Sequence, residues 1–208
     1  TLGVHIKHTG AAPAKNVKID SAQPKIVENN QGLLIGFKII GSNLNDQPSS
    51  PSLLIPFGDI AANGSTVGRW QMTASLMGRF IDFSATFSHA DELGGAVTSL
   101  IPPDGIKTHL LLRDVKVDLP GRDAVRDFLA MDGTTLRAYE SSGLDTAVVD
   151  FSASSVLTGT GSNPNGEVFY TINAPSSAGL SYIKLPDPFN GTKSLARMTR
   201  VDGKVIAP

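Results

Sequence analysis

VGRWQMTASLMGRFIDFSATFSHADE, residues Val67–Glu92, is the stretch that decides the fold class. Ile81, Phe83, Ala85 and Phe87 alternate with Asp82, Ser84, Thr86 and Ser88. That period of two is the signature of a half-buried strand, and no helix satisfies it. Upstream, Trp70, Met72, Ala74 and Leu76 alternate with Gln71, Thr73 and Ser75. With Met77-Gly78-Arg79 between them, the two runs predict a β-hairpin. The stretch holds the chain's single Trp and three of its nine Phe. The parity of Trp70, Phe83 and Phe87 marks them as core, so a sheet-on-sheet core is expected to form here.

Outward from that stretch the same period recurs. Leu2, Val4 and Ile6 alternate with Gly3, His5 and Lys7, a first strand that begins almost at Thr1. Val17 and Ile19 start a second strand, which Pro24 marks as an edge strand or breaks, because proline lacks a ladder donor. Leu33, Ile35, Phe37 and Ile39 form one face of a third, with Leu34 and Ile40 on the other, the pattern of a central strand. Gly41–Ser52 reads as a loop, Leu53–Phe57 as a short strand broken at Pro56, and Asn63-Gly64 as a turn. About six strands in roughly 95 residues, with frequent turns, is the spacing of a sandwich.

Pro102-Pro103-Asp104-Gly105 reads as a junction. Beyond it, His109, Leu111, Val115, Val117 and Leu119 share one parity of a long strand. Asp123–Met131 suits either one helical turn capped by Asp123 or a strand ending at Asp132-Gly133. Leu136–Glu140, Ala147–Phe151, Val168–Ile172, Tyr182–Leu185 and Leu195–Thr199 are strand-like. Val156–Gly166 reads as an exposed loop, and Asp202-Gly203 as a type I′ hairpin turn. The expected fold is all-β, two immunoglobulin- or fibronectin-like antiparallel sandwiches in tandem, residues 1–103 and 104–208.

Composition narrows the function class. The chain has 208 residues, is 40% hydrophobic and only 18% charged, and 18 basic against 19 acidic residues leave a net charge of −1. There is no basic footprint for nucleic acid or an anionic membrane. Without cysteine there are no disulfides or thiolate metal sites. No apolar run reaches the length of a membrane-spanning helix. The low charge, the many Ser, Thr, Asn and Gly and the lack of thiols suit an extracellular or cell-surface β-protein. A chain that starts at Thr1 inside a strand is expected to be a mature fragment or part of a longer one.

The run Thr9-Gly10-x3-Ala14-Lys15-Asn16-Val17-Lys18-Ile19 resembles the NxGxxxAxNVxI run of CARDB/APHP-like immunoglobulin-like modules. It departs from them where His8-Thr9 replaces the usual Asn-Thr. The resemblance covers about the first 40 residues and implies β-sandwich repeats of large secreted or surface bacterial and archaeal proteins, serving as spacers, adhesion units or appendages to enzymes. It brings no catalytic residues with it. Residues 121–139, GRDAVRDFLAMDGTTLRAY, look like linker-and-strand segments of similar multidomain proteins.

Candidate chemistry is sparse. His89, Asp91 and Glu92 gather a His and two carboxylates where the Phe strand ends, a set that suits a calcium-type cation or acid–base work. The simpler reading is a solvated loop that stops the strand. Asp114, Asp118, Asp123 and Asp127 with Arg113, Arg122 and Arg126 form a dense cluster, expected to pair mutually at a domain junction rather than to hold a cation. His5 and His8 have opposite strand parity and so do not share a ligand face. His109 lies within an apolar strand, where packing is the simpler role. No GxSxG elbow or HExxH spacing occurs, and no carboxylate pair stands out for glycoside hydrolysis.

Aromatic residues are 6% of the chain. Trp70 sits on a core parity, which leaves Tyr139, Tyr170 and Tyr182 as candidate sugar contacts. Asn63-Gly64-Ser65 and Asn190-Gly191-Thr192 match the glycosylation sequon, and Asn-Gly is independently a turn pair. The expectation is a non-enzymatic structural or interaction module, a spacer or filament unit, whose partners are neighbouring domains or like subunits. Its contact would be β-augmentation at the strand carrying Leu2, Val4 and Ile6. A carbohydrate-binding module appended to a secreted enzyme, with a glycan partner, is the alternative. Calcium at His89, Asp91 and Glu92 is the one cofactor considered.

Overall fold

The computed structural model describes residues 1–26, 36–75, 80–88, 102 and 104–206, with the backbone alone at 20–26 and 80–88. The chain divides into two compact units, Thr1–Val148 and Val149–Pro208. Residues 104–148 therefore group with the first unit, and the expected division at 103/104 falls inside it. Among the described residues the structure is all-β, with sixteen strands and one short 3₁₀ turn at Ser152–Ser154.

Seven strands build a sandwich at the start of the first unit. They are β1 (Leu2–Lys7), β2 (Ala14–Ile26), β3 (Phe37–Leu44), β4 (Gln47–Ser49), β5 (Pro56–Ile60), β6 (Ser65–Ala74) and β7 (Phe80–Ser88). Sheet A runs in the order β1-β6-β3-β4 and sheet B in the order β5-β2-β7. Registry sorts the faces of sheet A. Leu2 pairs with Trp70, Val4 with Gly68 and Ile6 with Thr66, while Ser42 and Leu44 of β3 meet Trp70 and Gly68. Partners across a ladder share a face. Leu2, Val4, Ile6, Leu44 and Trp70 therefore point one way, onto Ala14, Val17, Ile19, Ile55, Phe57 and Ile60 from sheet B and its approach.

Trp70 is fully buried in that core. Its indole N–H donates to the Ser52 carbonyl at 2.7 Å, and the Ser42 hydroxyl donates to the same oxygen at 3.1 Å. The one polar atom of the largest core side chain is thereby satisfied, as burial requires.

The expected Trp70–Phe87 hairpin does not form. β6 pairs with β1 and β3 in sheet A, whereas β7 pairs with β2 in sheet B. Alternation identifies a strand but not its neighbour. Placed in opposite sheets, two amphipathic strands can both turn their apolar faces into one core between them. The reading of Gly41–Ser52 as a loop is also corrected. Leu44 pairs with Gln47 in a hairpin whose two-residue turn is Asn45-Asp46, with φ of 47° and 65°. Positive φ at both positions is the type I′ turn, to which Asn and Asp are suited. Pro48 is accommodated because β4 is a three-residue edge strand.

Pro24 lies inside β2 where only β7 is paired with it, since the β5 pairing ends at Lys18. That stretch is locally an edge, as proline demands. Leu33 to Ile35, the start of the expected third strand, lie outside the described residues, and β3 is central between β6 and β4.

The rest of the first unit is sheet C, with neighbours in the order β8 (Leu110–Val115), β9 (Asp127–Asp132), β10 (Thr135–Tyr139) and β11 (Asp145–Asp150). Asp123–Met131 resolves in favour of the strand. The Asp123 carboxylate accepts from Val125 N at 2.9 Å, forming a turn that feeds β9. β11 continues past Val148 into the second unit.

The second unit holds β12 (Val156–Ser162), β13 (Val168–Asn173), β14 (Leu180–Tyr182), β15 (Met198–Thr199) and β16 (Val205–Ile206). β12 and β13 form a two-stranded ribbon, so the loop expected over Val156–Gly166 is in large part a strand. With Val156 and Leu157 adjacent and nearly every residue exposed, β12 carries no period-two alternation by which the sequence could have shown it. The Asp202-Gly203 turn is present, but Gly203 (φ 86°) donates to Arg200 O at 2.9 Å and Arg200 donates to Lys204 O at 2.8 Å. That is a three-residue loop with glycine at the left-handed position, rather than a type I′ pair.

Candidate functional site

β1 is the outer strand of sheet A. Where its ladder closes, His8 N–H donates to Gly64 O at 2.8 Å. Residues opposite each other in an antiparallel ladder alternate between hydrogen-bonded and non-hydrogen-bonded pairs. His8 therefore fixes Ile6, Val4 and Leu2 as the residues bonded to β6. The N–H and C=O groups of Gly3, His5 and Lys7 then face the outer edge, on which no strand lies among the described residues. The other side of β6 agrees, because Asn45 N–H donates to Val67 O at 2.9 Å, so odd-numbered β6 residues turn toward β3. Leu2, Val4 and Ile6, the expected contact residues, thus have two roles. Their side chains pack on the Trp70 core, and their backbone fixes the strand whose free edge alternates with them.

The opposite face of sheet A is polar and buried. Gly3 pairs with Arg69 and His5 with Val67 on that face. A Cβ on Gly3 would meet the Phe128 ring at 2.4 Å, so glycine is what lets sheet A approach β9 so closely. The His5 Nε2 is buried without a hydrogen-bond partner. Burial lowers the pKa of His5, Asp145 and Asp127 oppose that shift, and Lys7 adds to it.

Arg69 is only 1% exposed and is the hub of this face. Its guanidinium donates to Asp46 Oδ1 at 3.0 Å, to Asp114 Oδ1 at 3.4 Å and to the Arg126 carbonyl, and it stacks 4.5 Å from the Phe128 ring centroid. Asp46 also accepts from Arg126 N at 2.7 Å and Arg126 Nε at 3.1 Å. Deeper in, Asp127 accepts from Val117 N, Ser141 N and the Ser141 hydroxyl at 3.0, 2.7 and 2.9 Å. The buried Glu140 accepts from Arg122 Nε and from the Thr146 hydroxyl.

The dense Asp/Arg cluster lies inside the first compact unit and not at the expected domain junction, where it forms a seam whose ion pairs are not the mutual ones expected. The ion pairs of Asp114, Arg122 and Arg126 run to Arg69, Glu140 and Asp46. The carboxylates of Asp46, Asp114, Asp123, Asp127 and Glu140 are each held by cations, amides or hydroxyls, which suits fixing one element against another. Sequence reasoning missed Arg69 and Asp46. An arginine on the polar parity of a strand reads as solvent-facing, and Asp46 reads as a loop residue.

Elsewhere, the Tyr139 hydroxyl lies 3.1 Å from His109 Nε2 with the rings stacked at 4.7 Å, and Asp132 is 3.7 Å from His109 Nδ1. Burial first and the Asp132 charge second push the Tyr139 hydroxyl up to about 12. That keeps the phenol protonated. Trp70, sealed in the core, offers no sugar platform, whereas Tyr170 is exposed and sits edge-on to Phe189 at 6.0 Å.

His89, Asp91 and Glu92 lie outside the described residues. Among the described residues no cluster of three or more His, Asp or Glu could hold a metal, and no helix is long and apolar enough to cross a membrane. No family model, curated protein or solved structure matches the chain.

Proposed function

We propose that the chain is a non-enzymatic structural and interaction module of an extracellular or cell-surface multidomain protein or filament, serving as a spacer and joining neighbouring domains or subunits by strand addition at β1. The observation that carries this reading is the edge itself: a regular outer strand, anchored by Leu2, Val4 and Ile6, with the amides of Gly3, His5 and Lys7 turned outward. The low charge and the absence of thiols support an extracellular setting.

The immunoglobulin-like, tandem-sandwich affiliation belongs to the same proposal. The β2–β5 and β4–β3–β6 pairings correspond to the B–E and C′–C–F neighbours of immunoglobulin domains. The first strand departs from that arrangement by lying beside β6, and the seventh by lying beside β2.

Amide hydrogen exchange on the isolated chain tests the reading. Leu2, Val4, Ile6 and His8 should be protected, and Gly3, His5 and Lys7 should exchange freely until a partner binds. Uniform protection along β1 in the isolated chain would mean that the edge is already filled, and the proposal would fall.

A further inference from the structure

The second unit carries a different edge. Every residue of β13, Val168-Phe169-Tyr170-Thr171-Ile172-Asn173, is exposed, and among the described residues the strand belongs to a sheet of two strands. Phe169 is 49% exposed and Ile172 42%. Neither β12 nor β13 contains a charged residue. Proteins ordinarily blunt such edges with charge, proline or a bulge, and an isolated two-stranded ribbon is marginal in water. β12 is blunted by the register shift between Gly159 and Gly161. β13 has none of these devices. It is a six-residue, β-branched and aromatic segment without proline, glycine or charge, the composition that favours strand-to-strand association.

The direction of its amides follows from the ribbon's closure. Asn163 N–H donates to Glu167 O at 3.0 Å. Glu167 thus turns its backbone toward β12, and because the bulge is on β12, the alternation along β13 is unbroken. Phe169, Thr171 and Asn173 bond inward, while the N–H and C=O groups of Val168, Tyr170 and Ile172 face the free edge.

We infer that a second copy of this chain occupies that edge, its β13 adding antiparallel about a two-fold axis at Tyr170. In that register Tyr170 faces its own copy, Val168 faces Ile172 and Phe169 faces Thr171. Those are the β-branched and aromatic–β-branched pairs that stabilise a ladder. A self-pairing strand brings like residues into proximity across its axis, so any charge there would repel its own copy. The uncharged sequence removes that penalty, and this argues for a second copy over a partner of complementary charge. The pairing joins two ribbons into a continuous four-stranded sheet. It is independent of β1. The area shared by one short strand is below that of a stable interface, so the association is weak in solution and rises with concentration.

The experiment is sedimentation equilibrium of the whole chain across the micromolar to millimolar range, beside oxidative cross-linking. The wild type should rise from 21.8 kDa toward twice that mass. Tyr170→Lys, which sets two ammonium groups opposite each other, should stay at the monomer mass, while Thr160→Lys at the β12 bulge should behave as wild type. Because Tyr170→Lys could unfold the ribbon, Tyr170→Cys is the second arm. The chain has no other thiol, and a hydrogen-bonded pair about 5.5 Å apart between Cα atoms lies within disulfide reach. It should form a disulfide dimer faster than Thr160→Cys. A wild-type chain that stays monomeric throughout overturns self-pairing and leaves the edge to another partner. Equal cross-linking of the two cysteine variants overturns it too. So does association that survives Tyr170→Lys but is lost in Lys7→Pro, which assigns the contact to β1.

Discussion

Replacing Arg69 by methionine tests whether the charged seam holds sheet A against β8 and β9. The side chain is 1% exposed, and its guanidinium serves Asp46, Asp114 and the Arg126 carbonyl while stacking on Phe128. Methionine keeps most of the aliphatic volume and removes every one of those bonds. Stripping one partner from a buried ion pair costs about 3–5 kcal/mol, chiefly because the other charge is left buried. Two features of this site lower the figure. Asp46 keeps both bonds from Arg126, and the Asp46 and Asp114 side chains are 21% and 19% exposed, so water reaches them. The loss should lie at the low end, about 3 kcal/mol, or roughly 6–12 °C in Tm for a domain of this size.

Urea unfolding followed by fluorescence reads this directly, because Trp70 is the only Trp and lies in the sandwich core. The partner substitution is Asp46→Gly, which removes the carboxylate and suits the left-handed turn at φ 65°. The double-mutant cycle should show coupling above about 1 kcal/mol. By contrast, removing the exposed Lys15–Asp59 pair, 2.8 Å long, should leave the transition where it was. An Arg69→Met protein within about 0.5 kcal/mol of wild type, or a cycle with no coupling, would refute the seam as a stabilising junction.

Four further outcomes are expected. Gly3→Ala drives a methyl into the Phe128 ring. It should lower the urea midpoint as an overpacked core does, by about 1–3 kcal/mol, and should not change exchange of the Val156–Asn173 ribbon. Trp70→Phe removes the indole donor but leaves the Ser42 hydroxyl on the Ser52 carbonyl. The lost bond itself should cost only about 0.5–1.5 kcal/mol, read by circular dichroism because the chain's single Trp is gone; a loss near zero would show that the bond contributes little. His5 has a pKa below its ordinary value near 6.5. The unfolded chain therefore takes up its proton first, and stability present above pH 6.5 should fall as the pH drops below it. The slope should not exceed about 1.4 kcal/mol per unit, and it should flatten in His5→Gln. Calcium at His89, Asp91 and Glu92 requires a Tm that rises with added calcium and falls with EDTA; an unchanged transition removes the cation from the reading.

The strands were legible in the sequence where one face meets water, and their partners were not. Alternation in Leu2–Lys7 and Trp70–Ala74 located β1 and β6 because period two is a local property. Nothing local told β7 to cross to the other sheet, since sheet membership is decided by which apolar faces must share a core. Arg69 was hidden for a related reason. From Thr66 to Trp70, β6 is buried on both faces, so its polar parity there faces a seam and not solvent. Its partner Asp46 lies 23 residues away in a turn and Asp114 lies 45 residues away, separations that no local pattern spans. The cluster of Asp and Arg between Arg113 and Asp127 did point to an ion-paired contact, but the contact lies within one compact unit and not between two domains. Its partners, too, were beyond reach.

The edges of the sheets bear on how the chain would assemble. β4 is short and carries Pro48, β8 is irregular between Leu111 and Arg113 and charged, and β12 is bulged. Each device discourages pairing. β1 and β13 are regular with outward amides, β1 guarded only by Lys7 at its end and β13 by nothing. They lie one in each compact unit. On the proposals made above, the two contacts differ in kind. A β13 pair is isologous and closes on itself as a dimer, while strand addition at β1 is open to a different neighbour. The β13 contact alone stops at two copies, and a longer chain of subunits needs the β1 contact to join such pairs. The Tyr170→Lys and Lys7→Pro variants therefore bear on a sharper point than binding. If assembly extends beyond two copies, each substitution alone should stop it, the first leaving β1-linked species and the second leaving dimers joined at β13. Extended assemblies that survive either substitution would show that the edge strands do not carry the contacts.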